Sequence, residues 1–245
     1  PAESVQRIVD RIEQTLASNT GQLRIGDVSC ASGRPSERPS RKRVAVLGLY
    51  NSGSTAVAGM LHRLGVNMGA PFWQENADNS PRNFYEPSDL AWQLRTWWNE
   101  PRLATQAPAG QRIEFLRQWI VLQECARPSP AGAKHPLLSL CGEDLLAAWG
   151  DDVVFIWSWR PLAESIAGLK RRGWFPGMEE AMQTKLWESL GEFESRAGRI
   201  ERIDWREVQA DPVGTAQRLA DLAGLAASPS YVDAAAQFIR TDKEK

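Results

Sequence analysis

Apolar residues fall along this chain in two rhythms. Residues 44–49 and 153–159 are apolar almost without interruption, as strands buried on both faces of a parallel sheet are. Elsewhere the apolar positions recur at helical spacing, over 56–64, 88–100, 112–126, 137–149, 161–172, 178–196, 212–223 and 230–239. Shorter strands are expected at 132–135 and 199–203. Strands alternating with helices predict an α/β fold, a three-layer P-loop-type sandwich whose mostly parallel central sheet is flanked by helices. Ligands in such folds bind at the carboxyl ends of the strands.

The N-terminal part follows another pattern. Val5, Ile8, Val9, Ile12 and Leu16 line one face of an amphipathic helix expected within residues 1–20, and that face is available to a second copy of the chain, so a homo-oligomer is expected through it. Residues 21–43 are rich in Gly, Ser and Pro and carry Arg34, Arg38, Arg41, Lys42 and Arg43, which reads as a basic linker. The domain proper is expected at 44–245.

With 245 residues and 42% hydrophobic content, the chain suffices for one substantial core. Its net charge of −1 argues against a nucleic-acid partner. No apolar run reaches the roughly 20 residues a membrane span needs, and the first residues lack a secretory apolar segment, so a cytoplasmic protein without a membrane partner is expected. The three cysteines, Cys30, Cys125 and Cys141, are widely spaced, which reads as reduced thiols and no metal site. Most of the eleven tryptophans are expected to pack the core, with one or two left to line an acceptor pocket.

The most informative segment joins the first long strand to its helix. Where a strand feeds through a tight turn into a helix, the first helical N–H groups lack partners and converge on an anion. The spacing Gly48-xxxx-Gly53-Ser54-Thr55 nearly matches the nucleotide-binding P-loop, but Ser54 stands where that pattern has lysine, which disfavours ATP chemistry. A second anion site is expected at Arg160, at the carboxyl end of the strand 153–159, whereas Lys170, Arg171 and Arg172 read as a solvated helix end suited to the helix dipole.

Asn51-Ser52-Gly53-Ser54-Thr55, with the helix and turn that follow to Gly69, resembles the 5′-phosphosulfate loop of the PAPS-dependent sulfotransferases, where a basic residue precedes Ser-Gly-Thr-Ser/Thr. Arg160 is similar to the arginine that holds the 3′-phosphate in that family, and residues 202–225, with Asp211-Pro212, resemble its late strand and helix. The resemblance implies PAPS (3′-phosphoadenosine 5′-phosphosulfate) as co-substrate, held by Asn51, Ser52, Gly53, Ser54, Thr55, Arg160 and Ser165, with no metal. Two positions depart from the family pattern: Asn51 replaces the basic residue, and Gly168 stands at the usual serine, with Ser165 one turn earlier as the candidate substitute.

Lys134-His135-Pro136 resembles the Lys-x-Pro segment of bacterial relatives, which makes Lys134 the candidate replacement cation. Glu86 and His135 are candidate general bases; Glu86, next to Pro87, equally suits a helix N-terminus. The implied reaction is sulfuryl transfer to a hydroxyl or amine of a small-molecule or glycan acceptor. Two alternatives stand beside it: a small-molecule or nucleotide kinase using Thr55 and Asp204 on magnesium, and a degenerate fold that binds nucleotide or a partner without turnover.

Overall fold

Strand β1 (Arg43–Gly48) runs through the middle of a four-stranded parallel sheet of order β2-β1-β3-β4, with β2 (Ala131–Lys134), β3 (Val153–Trp159) and β4 (Ile200–Asp204). Its inner position accounts for its sequence: both faces are covered, so every residue after Arg43 is buried and apolar or glycine. The computed structural model describes residues 42–69, 71–73, 84–105, 107–127 and 129–240. The expected N-terminal helix, nearly all of the basic linker, Cys30 and much of the 71–87 loop lie outside these residues.

Alternation along the strands separates two cores. Val44 and Val46, with Ile156 and Ile203, face α1 (Ser54–Leu64), α8 (Pro212–Leu222) and α9 (Pro229–Arg240). Ala45 and Leu47, with Phe155 and Trp157, face α3 (Ala109–Ala126), α4 (Gly142–Trp149) and α6 (Glu179–Ala197). The remaining helices are α2 (Ser88–Trp98), α5 (Leu162–Arg172) and a short α7 (Trp205–Ala210). The three-layer α/β sandwich expected from the alternation is thus present. Among the described residues no helix is long and apolar enough to cross a membrane.

The order of strands matters for binding. From β1 the chain first moves to β2 on one side, then returns to β3 on the other, so the connections leaving β1 and β3 diverge and open a crevice at their carboxyl ends.

Three local expectations are corrected. The helix expected over 137–149 is a 3-10 turn, Pro136–Leu140, followed by α4. The turn forms because His135 Nδ1 accepts a hydrogen bond from the Leu137 N–H and the Ser139 hydroxyl is drawn to β1, where it accepts from Gly48 N and donates to Gly48 O, both at 3.0 Å. The stretch after β4 winds into α7 because the Asp204 carboxylate accepts from Arg206 N at its N-terminus. Cys141 is a free buried thiol, but Cys125 is disulfide-bonded, contrary to the reading of three reduced cysteines.

Phe155 is fully buried at the centre of the sheet. Phe155→Ala is expected to lower the unfolding free energy by about 3–5 kcal/mol, read as a fall in urea midpoint with little change in slope.

Candidate active site

The bend after β1 is buried on one side and open on the other. On the buried side every backbone group that turns inward finds a side chain. Gln183 of α6 clamps Tyr50, accepting from its N–H at 3.1 Å and donating to its carbonyl at 2.7 Å. Ser158 of β3 donates to the Ser52 carbonyl at 3.2 Å, and Ser139 holds Gly48 as described. On the open side, the N–H groups of Gly53, Ser54 and Thr55 bond to no other described part of the chain, since the first turn of α1 closes only from Ala56 N to Gly53 O. Gly53 has φ 93°, and a β-carbon there would lie 2.6 Å from the Trp205 ring, so only glycine fits beneath that indole. The bend is an anion cradle.

Arg160 stands beside it. Its Nη1 donates to the Asn51 carbonyl at 3.1 Å and its Nε to Glu164 at 3.2 Å, so the end of β3 is tied to the bend. Ser165 is elsewhere: it is fully buried, its hydroxyl has no hydrogen-bond partner among the described residues, and it does not line the cavity.

At the other end of the bend lies a buried charged cluster. Lys134 Nζ, at the end of β2, donates to Thr55 Oγ1 at 3.3 Å and to Glu86 Oε1 at 2.5 Å. Only 3% of Lys134 and 7% of Glu86 are exposed, so the two charges are held by each other. Burial pushes the Glu86 pKa up, but the charges of Lys134 and then His135, with the Lys134 hydrogen bond, more than offset it and hold the carboxylate below its usual range. His135 is driven down to about 4, chiefly by burial, which Glu86 opposes and the charges of Arg95 and Lys134 reinforce. Its Nδ1 accepts from the backbone, so the neutral ring carries its proton on Nε2, which faces Glu86 Oε2 at 3.8 Å.

These groups open into one cavity of about 260 Å³. Asn51, Gly53, Ser54, Thr55, Glu86, Lys134 and Arg160 all line it, so the two expected anion sites face a common space. Ser52 and His135 stand behind the lining: Ser52 is fully buried, and His135 backs Glu86. The sequence reading missed Tyr50, Arg95 and Arg172, and among the aromatic residues Trp174, Trp205 and Phe238. Of the tryptophans, Trp73, Trp174 and Trp205 reach the cavity, whereas the 92/97/98 and 157/159 clusters do not. Arg172 carried a signal in its position one helical turn beyond Gly168; nothing local marked Phe238, which arrives from α9. Asp204 does not line the cavity and is engaged as the α7 cap.

No protein-family model matches the sequence, and neither does any curated protein. Solved structures do. The sulfotransferase STF9 of Mycobacterium avium superposes over 85% of this chain and 70% of its own, with a TM-score of 0.54 at 12% identity. The sulfotransferase domain of the Synechococcus PCC 7002 olefin synthase gives 0.51 at 16% identity over 82% and 79% of the two chains. STF1 of Mycobacterium tuberculosis H37Rv gives 0.50 at 15% over 81% and 71%. The chain has the sulfotransferase fold. In this sulfotransferase fold the cradle after β1 and the arginine after β3 flank the crevice where the strand order reverses.

The buried imidazole makes stability depend on pH. An unfolded histidine titrates near 6.5, so from there down to about 4 the unfolded chain binds a proton that the folded chain does not, and stability falls as pH falls. The loss approaches about 3 kcal/mol at the lower limit. Glu86, held below its usual pKa, contributes in the same direction but only below the ordinary carboxylate range. Urea titrations at pH 7.5, 6, 5 and 4.5 are expected to show the slope, and His135→Asn to flatten it.

Proposed function

We propose that this chain binds PAPS and transfers its sulfuryl group to a hydroxyl or amine of a small-molecule or glycan acceptor. The observation that carries the reading is the single cavity shared by the Gly53, Ser54 and Thr55 cradle and by Arg160, which suits a ligand with two separated anionic ends. The lining favours anions throughout, with Arg95, Lys134, Arg160 and Arg172 against Glu86. When bound, PAPS supplies an activated sulfur whose transfer leaves adenosine 3′,5′-bisphosphate.

The chain's own residues divide the work. The free N–H groups at 53–55 and the Lys134 ammonium, bonded to Thr55 Oγ1, are placed to hold the phosphosulfate end and to stabilise charge building on the leaving phosphate. Arg160, drawn to the Asn51 carbonyl, serves the 3′-phosphate end. Glu86 is ionised at neutral pH and lines the cavity, so it is the group that accepts the acceptor's proton, while His135 backs it and does not itself face the acceptor. Trp73, Phe84 and Trp174 wall the acceptor side and exclude water from it. The kinase alternative has less support, because Asp204 is engaged at the N-terminus of α7 and not at the cavity.

Isothermal titration tests the binding half. Adenosine 3′,5′-bisphosphate is expected to bind without magnesium and more tightly than ATP with magnesium; the reverse order would overturn the reading. Arg160→Ala is expected to lower bisphosphate affinity about tenfold to a hundredfold, the cost of one charge-assisted contact. Glu86→Gln separates binding from turnover: affinity is expected to stay within a few-fold while sulfated product forms about 10²–10⁴ times more slowly. Retained turnover would remove Glu86 from the proton-accepting role.

A further inference from the structure

Asn51 and Gly168 each replace a residue of the sulfotransferase pattern, and in space they are one feature. Asn51 sits in the left-handed region at φ 59°, which asparagine tolerates, and this turns its amide away from the cradle and onto α5. A β-carbon on Gly168 would lie 1.6 Å from Asn51 Nδ2 and 2.8 Å from Asn51 Cγ, so any larger residue at 168 collides with the amide. The glycine and the asparagine require each other.

The other end of that amide is also engaged. Asn51 Oδ1 accepts from Arg172 Nε at 3.3 Å, and the guanidinium lies over Trp174, 5.0 Å from the ring centroid. Arg172 stands four residues beyond Gly168 on the same helix, so its side chain reaches back across the small residue to the bend. Asn51 therefore receives two guanidinium groups: Arg160 on its backbone carbonyl, Arg172 on its side-chain carbonyl. Both arginines line the cavity.

Their charges are not equivalent. Lys134 is paired with Glu86, Arg95 with Glu100 and Arg160 with Glu164. Arg172 lines the same cavity, and among the described residues no carboxylate pairs with it and nothing bonds to its Nη1 or Nη2. A planar cation held by its Nε and by an indole face, with both terminal nitrogens turned free, has the shape of an oxyanion receptor.

We propose that Arg172 is a second ligand of the 3′-phosphate, acting beside Arg160, and that Asn51 is the residue that positions it. The inference rests on the PAPS reading above and deepens it: the positive charge lost from the loop at position 51 is supplied from the C-terminal turn of α5, and Gly168 is small because the positioning amide passes over it. The expected consequence is selectivity for 3′-phosphorylated over 5′-only adenine nucleotides.

The test titrates the full chain with two probes, adenosine 3′,5′-bisphosphate and adenosine 5′-monophosphate, at one fixed low salt concentration. The wild type is expected to prefer the bisphosphate. Arg172→Ala, a change at an exposed side chain, is expected to weaken bisphosphate binding about tenfold and to leave monophosphate binding within about twofold. Asn51→Ala is expected to lose part of the same preference, and Arg172→Ala added to it is expected to weaken the bisphosphate no further than Arg172→Ala alone, as residues acting through one contact do. If Arg172→Ala weakens both probes equally, or neither, the inference fails while the PAPS reading stands. If the wild type itself binds the two probes equally, the reading and the inference fail together.

Discussion

The structure depends on how the backbone of one bend is satisfied. Residues 48–52 turn through the interior, where an unpaired carbonyl or N–H costs about 1–3 kcal/mol, and three side chains from three separate elements meet those groups. Ser139 holds Gly48, Ser158 holds Ser52 and Gln183 holds Tyr50 from both sides. Because the inner face is fully bonded, the bend has one geometry, and the N–H groups left over at 53–55 all point to the cavity. The break in the helix expected at 137–149 has the same origin, since an α-helix through Ser139 would carry its hydroxyl away from Gly48.

Around that cradle the charges are arranged by pairing. Lys134 and Glu86 are buried together, and each keeps the other ionised where either alone would be neutralised. The pair joins β2 to the segment ahead of α2, and its ammonium also reaches Thr55 in the cradle, so the acceptor wall, the charged pair and the anion site are linked through one nitrogen. On the opposite side, Arg160 and Arg172 converge on the two carbonyl oxygens of Asn51. A cradle that lacks the customary loop cation is thereby bordered by cations from β2, from the end of β3 and from α5.

Much of the fold was legible because parallel sheets leave a strong trace. Residues 44–48 and 153–159 are buried on both faces, and no alternation hides them. The helices with one apolar face, such as α5 and α8, were bounded well by Pro161 and Gly173 and by Asp211-Pro212. The helix after β4 was not anticipated because six residues hold too little periodicity to register, and its signal was one capping carboxylate at Asp204. In the site, the segment 51–55 and Arg160 were legible because each follows a strand whose end fixes its location. Ser165 was misplaced: one helical turn decides whether a serine on α5 faces the cavity or the core, and it faces the core.

By itself the sequence determined the alternation of strands and helices, the cradle after β1 and the presence of an arginine at the end of β3, because each is written in contiguous residues whose spacing constrains a local conformation. Tertiary structure alone decided which charges meet. That Lys134 finds both Glu86 and Thr55, that Gly168 yields space to Asn51, and that Arg172 returns to the bend are contacts across 48, 79, 117 and 121 positions of chain. No local pattern encodes such separations. They follow from the order in which the strands pair and from helices packing closely enough that a single missing β-carbon admits a neighbouring side chain.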